Sequence, residues 1–330
     1  MGLSVIILAG GAGTRMKSKT PKHLHKIANL EIISHILNTA KKLNADEIVV
    51  VCSPENIEKI NIHNVNFSTN NDNINYTSDN IKKVLQPEKL GTANATKIGY
   101  DALEYKNNDV IVMYGDIPLI KVQTYQNMLE KLNNDVMQVG LIFRTRDTTN
   151  KYGRVKIEDD KLIYNVEYKD ADMITRSSDL CNAAILASKG TYLDKILKKI
   201  SNNNASKEYY LTDTINISNQ DGFTLKYVMV DEDEQQGINS REDLSRGEAI
   251  FQDNKRKEVM ENGATLIDPK SVFFSYDTEI GQDVIIAPNV VFGKNVKVEN
   301  NVIIKSFSYI ENTTIKENTI IKPFTNLCQE

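Results

Sequence analysis

The chain has 330 residues, 40% of them hydrophobic, with a formal net charge of −4 at pH 7. That length suits about two domains with a real core. The mild acidity gives no reason to expect nucleic acid or an anionic membrane as partner, and no apolar run approaches the ~18 residues of a membrane span. Cys52, Cys181 and Cys328 are scattered, with neither metal-ligand spacing nor a disulfide framework, which fits a reducing, cytoplasmic setting. The N-terminus enters a strand directly, so no signal peptide is expected. Enrichment in Asn, Lys and Ile reads as compositional drift without chemistry.

In chain order, residues 5–8 form an apolar strand that runs into Leu8-Ala9-Gly10-Gly11-Ala12-Gly13-Thr14-Arg15-Met16. Ile33, Ile36, Leu37, Ala40 and Leu43 recur at helical spacing, with Ser34 as the expected N-cap. Residues 47–52, 110–114, 136–143 and 224–230 read as further strands, and the second of these runs into Gly115-Asp116. Apolar strands separated by amphipathic stretches predict an α/β fold with a mostly parallel sheet covered on both faces. Residues 240–262 predict a charged connecting helix that opens on Ser240-Arg241-Glu242-Asp243, a capping box with Asp in place of Glu. Beyond it Ile280, Ile286, Phe292, Val298, Ile304 and Ile310 stand six apart. The phase then slips by one, and Ile315 and Ile321 resume the step. This is the hexapeptide pattern of a parallel β-helix, long enough for only a few coils.

Two places could carry chemistry. The Gly-rich turn lacks the third Gly of a dinucleotide fingerprint and the Lys-Ser/Thr of a Walker loop. What remains is a backbone that can approach an anion closely, with the Arg15 guanidinium and Lys22 ammonium beyond it. Two separate cations suit a polyphosphate; the alternative is a tight turn with solvated basic residues. Asp116 lies just past a strand's carboxyl end, where open α/β sheets bind ligands and where one carboxylate can share Mg²⁺ with phosphate oxygens. Such an Asp can equally be a turn former. His23, His25 and His35 near the loop read as packing or surface residues.

The glycine loop with Pro21-Lys22 resembles the sugar-nucleotide pyrophosphorylases. Further motifs follow in family order: Leu85-Gln86, Leu90-Gly91-Thr92-Ala93, Tyr114-Gly115-Asp116-Ile117-Pro118, Tyr152-Gly153-Arg154, Val166-Glu167-Tyr168-Lys169-Asp170, Glu208-Tyr209-Tyr210-Leu211-Thr212-Asp213 and Gly237-Ile238-Asn239. Together they resemble the bacterial N-acetylglucosamine-1-phosphate uridyltransferases, usually one half of a bifunctional enzyme, over essentially the whole chain. The resemblance implies a Rossmann-like nucleotidyltransferase domain (1–239) with a mixed, mostly parallel sheet, a helical linker (240–262) and a short left-handed parallel β-helix (263–330). It also implies site roles. Leu8, Ala9, Gly10 and Gly11 run along the nucleotide, with Arg15 and Lys22 on its phosphates. Gln86, Gly91 and Thr92 hold uracil. Tyr114, Gly115 and Asp116 lie at the sugar-phosphate end, and Gly153, Glu167 and Asn182 hold the sugar. Asp116 and Asn239 share Mg²⁺. UTP and N-acetylglucosamine-1-phosphate are the implied substrates, and Arg15, Lys22 and Asp116 the implied catalytic groups.

The chain departs from the family pattern in places. Asn182-Ala183-Ala184 stands where the family usually has Asn-Thr-Gly, and Ala12 where Lys is common. The four histidines, at 23, 25, 35 and 63, all precede the β-helix, whereas the family's acetyltransferase half uses a His there and a longer helix. No acetyltransferase activity is therefore expected. A homotrimer through the β-helix is implied. Two other readings remain open at this level: a different sugar-1-phosphate nucleotidyltransferase, or a catalytically silent nucleotide-binding scaffold.

Overall fold

A computed structural model describes residues 2–62 and 80–328; His63 lies outside them. The chain forms two compact units, Met1–Leu24 with Ile32–Asn239, and His25–Glu31 with Ser240–Glu330.

In chain order the elements of the first unit begin with β1 (Leu3–Ala9). The short hairpin β2 (Lys26–Ile27) and β3 (Leu30–Glu31) belongs to the second unit. Then come α1 (Ile32–Lys42), β4 (Glu47–Cys52), β5 (Ile81–Leu85), α2 (Thr92–Asp101), β6 (Asp109–Tyr114), α3 (Val122–Lys131) and β7 (Val136–Arg144). The hairpin β8 (Arg154–Glu158) and β9 (Lys161–Val166) is followed by α4 (Met173–Arg176), β10 (Leu180–Lys189), α5 (Gly190–Leu197), α6 (Asp213–Gln220) and β11 (Thr224–Val230). Ser34 is no N-cap: α1 starts two residues before it and buries it in the first turn.

The sheet runs β11-β7-β10-β6-β1-β4-β5, with β8 on β10 and β9 on β8. Strands β6, β1, β4 and β5 are mutually parallel, β11 is parallel to β7, and β10 is antiparallel to both β6 and β7. The sheet is thus mixed, as expected. Its parallel centre reads as continuous apolar runs because Ile6, Val49 and Val112 are fully buried in it, each side chain contributing roughly 1.5–3 kcal/mol. Parallel strands end on the same side. The glycine loop after β1, Gln86 after β5 and Asp116 after β6 are therefore gathered at one edge of the sheet.

In the second unit α7 (Arg241–Glu261) opens on Ser240, whose hydroxyl accepts from Asp243 N while the Asp243 carboxylate accepts from Ser240 N, a complete capping box. The helix is not polar all round for lack of a face to bury. Its buried positions include Gln252 and Arg256. The Gln252 amide donates to Phe274 O and accepts from Phe274 N at 2.7 and 2.8 Å, completing that backbone as a strand would. Arg256 Nε donates to Val272 O at 3.0 Å.

After α7, strands β12 (Thr265–Leu266), β13 (Glu279–Ile280), β14 (Ile285–Ile286), β15 (Val291–Phe292), β16 (Val296–Val298), β17 (Ile303–Ile304), β18 (Tyr309–Glu311), β19 (Thr313–Ile315), β20 (Ile320–Ile321) and β21 (Asn326–Cys328) stack into three parallel sheets. Glu279 pairs with Lys297, Ile285 with Ile303 and Val291 with Tyr309, so one coil is three hexapeptides. The next coil pairs Val296 with Thr313 and Ile303 with Ile320, one residue shorter, which is the phase slip seen in the sequence. Ile286, Phe292, Val298, Ile304, Ile310 and Ile315 all point inward and are buried.

The Asn content is not drift here. Positive φ recurs at Asp283, Asn289, Asn295, Asn301, Phe307, Asn312, Asn318 and Phe324, the same period with the same slip. Each coil corner takes the left-handed conformation, which Asn tolerates better than other residues with a side chain. The two Phe exceptions stack on each other, with ring centroids 5.2 Å apart.

Candidate active site

At the carboxyl ends of β1, β5 and β6 lies a cleft of about 230 Å³, lined by Leu8, Gly10, Gly11, Lys22, Gln86, Gly91, Thr92, Tyr114 and Asp116, with His23, Lys89, Ala95 and Glu208. The loop after β1 holds Gly13 and Lys17 at φ 62 and 47 around a single 3-10 turn, leaving Gly11, Ala12 and Arg15 exposed. Lys22 is buried (6% exposed) and its Nζ reaches Asp116 Oδ2 at 2.6 Å and Asn239 Oδ1 at 3.1 Å. Asn239 is brought there by the backbone: Ile238 N donates to Asp116 O at 2.8 Å. Gly115 N donates to Leu8 O at 2.8 Å, tying the end of β1 to the turn that carries Asp116.

The opposite wall is stitched to a distant segment. Gly91 sits at φ +114, and a Cβ there would stand 2.5 Å from Tyr209 O, so both conformation and space demand glycine. Tyr209 N donates to Leu90 O, Ala93 N to Tyr209 O and Leu211 N to Thr92 Oγ1. Gln86 Nε2 donates to Asn94 Oδ1 at 3.1 Å, which orients its amide in the cleft. Burial holds the Tyr114 phenol far above its ordinary range, so it stays neutral, hydrogen-bonded to Thr92.

Gly153, Glu167 and Asn182 form a second group. Asn182 N donates to Gly153 O at 2.9 Å, and a Cβ on Gly153 would press on Asn165 Oδ1 and Glu167 Oε1 at 3.1 and 3.2 Å. Thr212 Oγ1 donates to Glu167 Oε1 at 2.6 Å. Ala184 N donates to Asn182 Oδ1 at 2.7 Å, and Asn182 Nδ2 donates to Asn165 Oδ1 at 2.9 Å. A backbone N–H starts this relay, so the orientation of both amides is determined. It leaves the buried Asn165 Nδ2 without an acceptor among the described residues.

Residues 5–149 match the MobA-like NTP transferase domain family, and residues 277–312 match the bacterial transferase hexapeptide (six repeats). The bifunctional protein GlmU of Paramagnetospirillum magneticum is 39% identical over 288 residues, covering 87% of this chain and 61% of that protein. That of Zymomonas mobilis is 40% identical over 289 residues, covering 86% and 61%. The chain is similar to these GlmU proteins over most of its length, and its residues 5–149 match an NTP transferase domain. It spans 61% of the length of these curated relatives. A solved structure from Bacillus anthracis, described as a glucose-1-phosphate thymidylyltransferase in complex with sucrose, superposes with TM-score 0.56. At 18% identity, covering 76% of this chain and 95% of that one, it shows likeness of fold.

The Ala183-Ala184 departure leaves the loop's backbone unusual: Ala184 holds φ 62 where β10 shifts register. The left-handed turn is kept although its residue carries a Cβ. Asp116 Oδ2 and Asn239 Oδ1 converge on one point, held by the Lys22 ammonium. Two hard oxygens around one cation position, beside a phosphate-sized cleft, fit Mg²⁺, which takes one or two protein groups and completes its shell with phosphate and water.

Several participants were not singled out from the sequence. Asn56 Nδ2 donates to Ala9 O at 2.6 Å and faces His23 Nδ1 at 3.3 Å, while its Oδ1 accepts from Ser53 N. His23 is therefore a packing residue, one of the two outcomes expected of it. Its buried ring is neutral, with burial and then Lys22 pushing its pKa down to about 4. Thr212 lay inside a quoted motif without a role of its own. Asn56 and Asn165 carried no signal, because single amides between apolar positions have no spacing to betray them.

Proposed function

We propose that the chain is a uridyltransferase, making UDP-N-acetylglucosamine and pyrophosphate from UTP and N-acetylglucosamine-1-phosphate. The observation that carries this reading is Lys22 held between Asp116 and Asn239 at the floor of the glycine-loop cleft, in a chain similar to GlmU over 87% of its length. A sugar phosphate has a second pKa near ~6, so the nucleophile needs no general base at neutral pH. The residues' work is positioning and charge neutralisation. The backbone from Leu8 to Gly11 admits the triphosphate, while Gln86, Gly91 and Thr92 hold the base. Gly153, Glu167 and Asn182 present the sugar, so that its phosphate meets the α-phosphorus opposite the leaving pyrophosphate. Arg15 and Lys22 take up charge on the phosphates. Asp116 and Asn239 would hold Mg²⁺, which when bound supplies further charge neutralisation on the phosphate oxygens.

The β-helix supports a homotrimer. Two of its sheets turn Ile285, Ile320, Val291 and Tyr309 outward to solvent, while the third turns out Glu279, Lys297 and Thr314. Adjacent apolar faces beside a charged one suit packing about a threefold axis. Light scattering should give three times the 37.2 kDa chain mass; a monomer rules this out.

The deciding assay is Mg²⁺-dependent pyrophosphate release from UTP, comparing N-acetylglucosamine-1-phosphate with glucose-1-phosphate. Preference for the former is expected. Release only with another sugar phosphate, or none at all, overturns the reading. Acetyl-CoA with glucosamine-1-phosphate should give no transfer, since no histidine follows residue 63.

A further inference from the structure

We propose that Lys22 and the divalent cation are alternative occupants of the Asp116–Asn239 oxygen pair, so that arrival of the metal-bound nucleotide is what releases Lys22 to the phosphates. The proposal rests on the metal role assigned above to that pair.

The ammonium stands where the cation would. Lys22 Nζ lies 2.6 Å from Asp116 Oδ2 and 3.1 Å from Asn239 Oδ1, against the glycine loop and 3.3 Å from where a Cβ on Gly11 would stand. Lys22 is 6% exposed and Asp116 19%. An ammonium and a divalent ion cannot both occupy so small a space between the same two oxygens. In the free protein the lysine satisfies a partly buried carboxylate that would otherwise go uncompensated. Its four-carbon stem starts from a single 3-10 turn, Lys22–Leu24, so side-chain rotation alone can carry the charge toward the loop. A polyphosphate seated on that loop offers the ammonium a second set of oxygens. The exchange therefore couples metal and nucleotide: each binds better once the other has helped move Lys22.

The test measures Mn²⁺ binding to the full chain without nucleotide, by the loss of the free-ion EPR signal. If the ammonium holds the pair nine-tenths of the time, removing it raises apparent affinity by about tenfold. Lys22→Met should show that gain, and a Mn²⁺-induced rise in melting temperature larger than the parent's. Adding Asp116→Asn to Lys22→Met should abolish both. UTP should raise Mn²⁺ affinity by a larger factor in the parent than in Lys22→Met. Lys22→Gln, which keeps a polar side chain, serves as a second variant if Lys22→Met melts early. Unchanged or weaker Mn²⁺ binding in both Lys22 variants, with Asp116→Asn still abolishing it, overturns the alternation while leaving the metal site standing. Mn²⁺ binding indifferent to Asp116→Asn overturns the metal role itself, and the alternation with it.

Discussion

At the proposed phosphate end of the site the buried Lys22 ammonium is clasped by a carboxylate and an amide oxygen, and the exposed Arg15 guanidinium stands on the glycine loop. At the proposed sugar end Asn182 and Asn165 face each other amide to amide, and the chain of bonds begins at the backbone of Ala184. Glu167 is steadied there by the Thr212 hydroxyl. One end gathers mobile charges, which the proposed reading has exchanging with a ligand. The other is organised to hold dipoles in a set orientation. The first tolerates motion of a long side chain, whereas the second loses its geometry if one amide is removed. Substitutions at the two ends should therefore fail in different kinetic terms.

The largest effect should come from Asp116→Asn. It keeps the shape and a hydrogen bond to Lys22 but removes the charge, so turnover should fall by about 10³-fold with the melting curve retained; near-normal turnover would refute the metal role. Next is the acid sensitivity of the phosphate end. His23 titrates near 4 when folded against an ordinary 6.5. Below pH 6.5 the unfolded chain takes up a proton that the folded chain refuses. The stability linked to the neutral ring is complete above about pH 6.5 and is lost as pH falls toward 4, by about 3 kcal/mol. Urea midpoints across that window should fall steeply in the parent and less in His23→Gln. A third and smaller effect tests the sugar end. Asn165→Ala leaves Asn182 Nδ2 without its acceptor, a cost of about 1–2 kcal/mol. It should raise KM for the sugar phosphate roughly tenfold at unchanged KM for UTP, and an equal rise in both would erase the distinction between the ends. The smallest is Ala184→Gly, which removes the strain of a Cβ at φ 62. The gain should be about 1 kcal/mol in unfolding free energy, read as a higher melting temperature.

Much of the fold was legible because it repeats. The strands 47–52 and 224–230 were readable to the residue from apolar-rich runs, and the buried aliphatic positions of the β-helix from a six-residue period. The Ser240 capping box was visible because its partners are three residues apart. Ser34 failed as an N-cap because the helix gains more by burying Ile32 and Ile33 than by starting at a local hydrogen-bonder. Residues 25–31 joining the second unit left no trace, since a short hairpin with Ala28 and Asn29 at positive φ has no periodicity of its own.

The site divides in the same way. Gly10, Gly11, Lys22, Gln86, Gly91, Thr92 and Asp116 were nameable from local motifs, because backbone approach and strand ends are properties of short segments. The coil corners were misread as drift in Asn content, although Asn stands at five of the eight left-handed corners, Asn289, Asn295, Asn301, Asn312 and Asn318. Only the tertiary structure decided that Lys22 sits between Asp116 and Asn239, that Asn239 reaches Asp116 through a backbone bond from Ile238, and that Asn182 donates to Asn165. These are single contacts between residues far apart in the chain. Their energies come from burial and hydrogen-bond geometry, which no spacing along a sequence records.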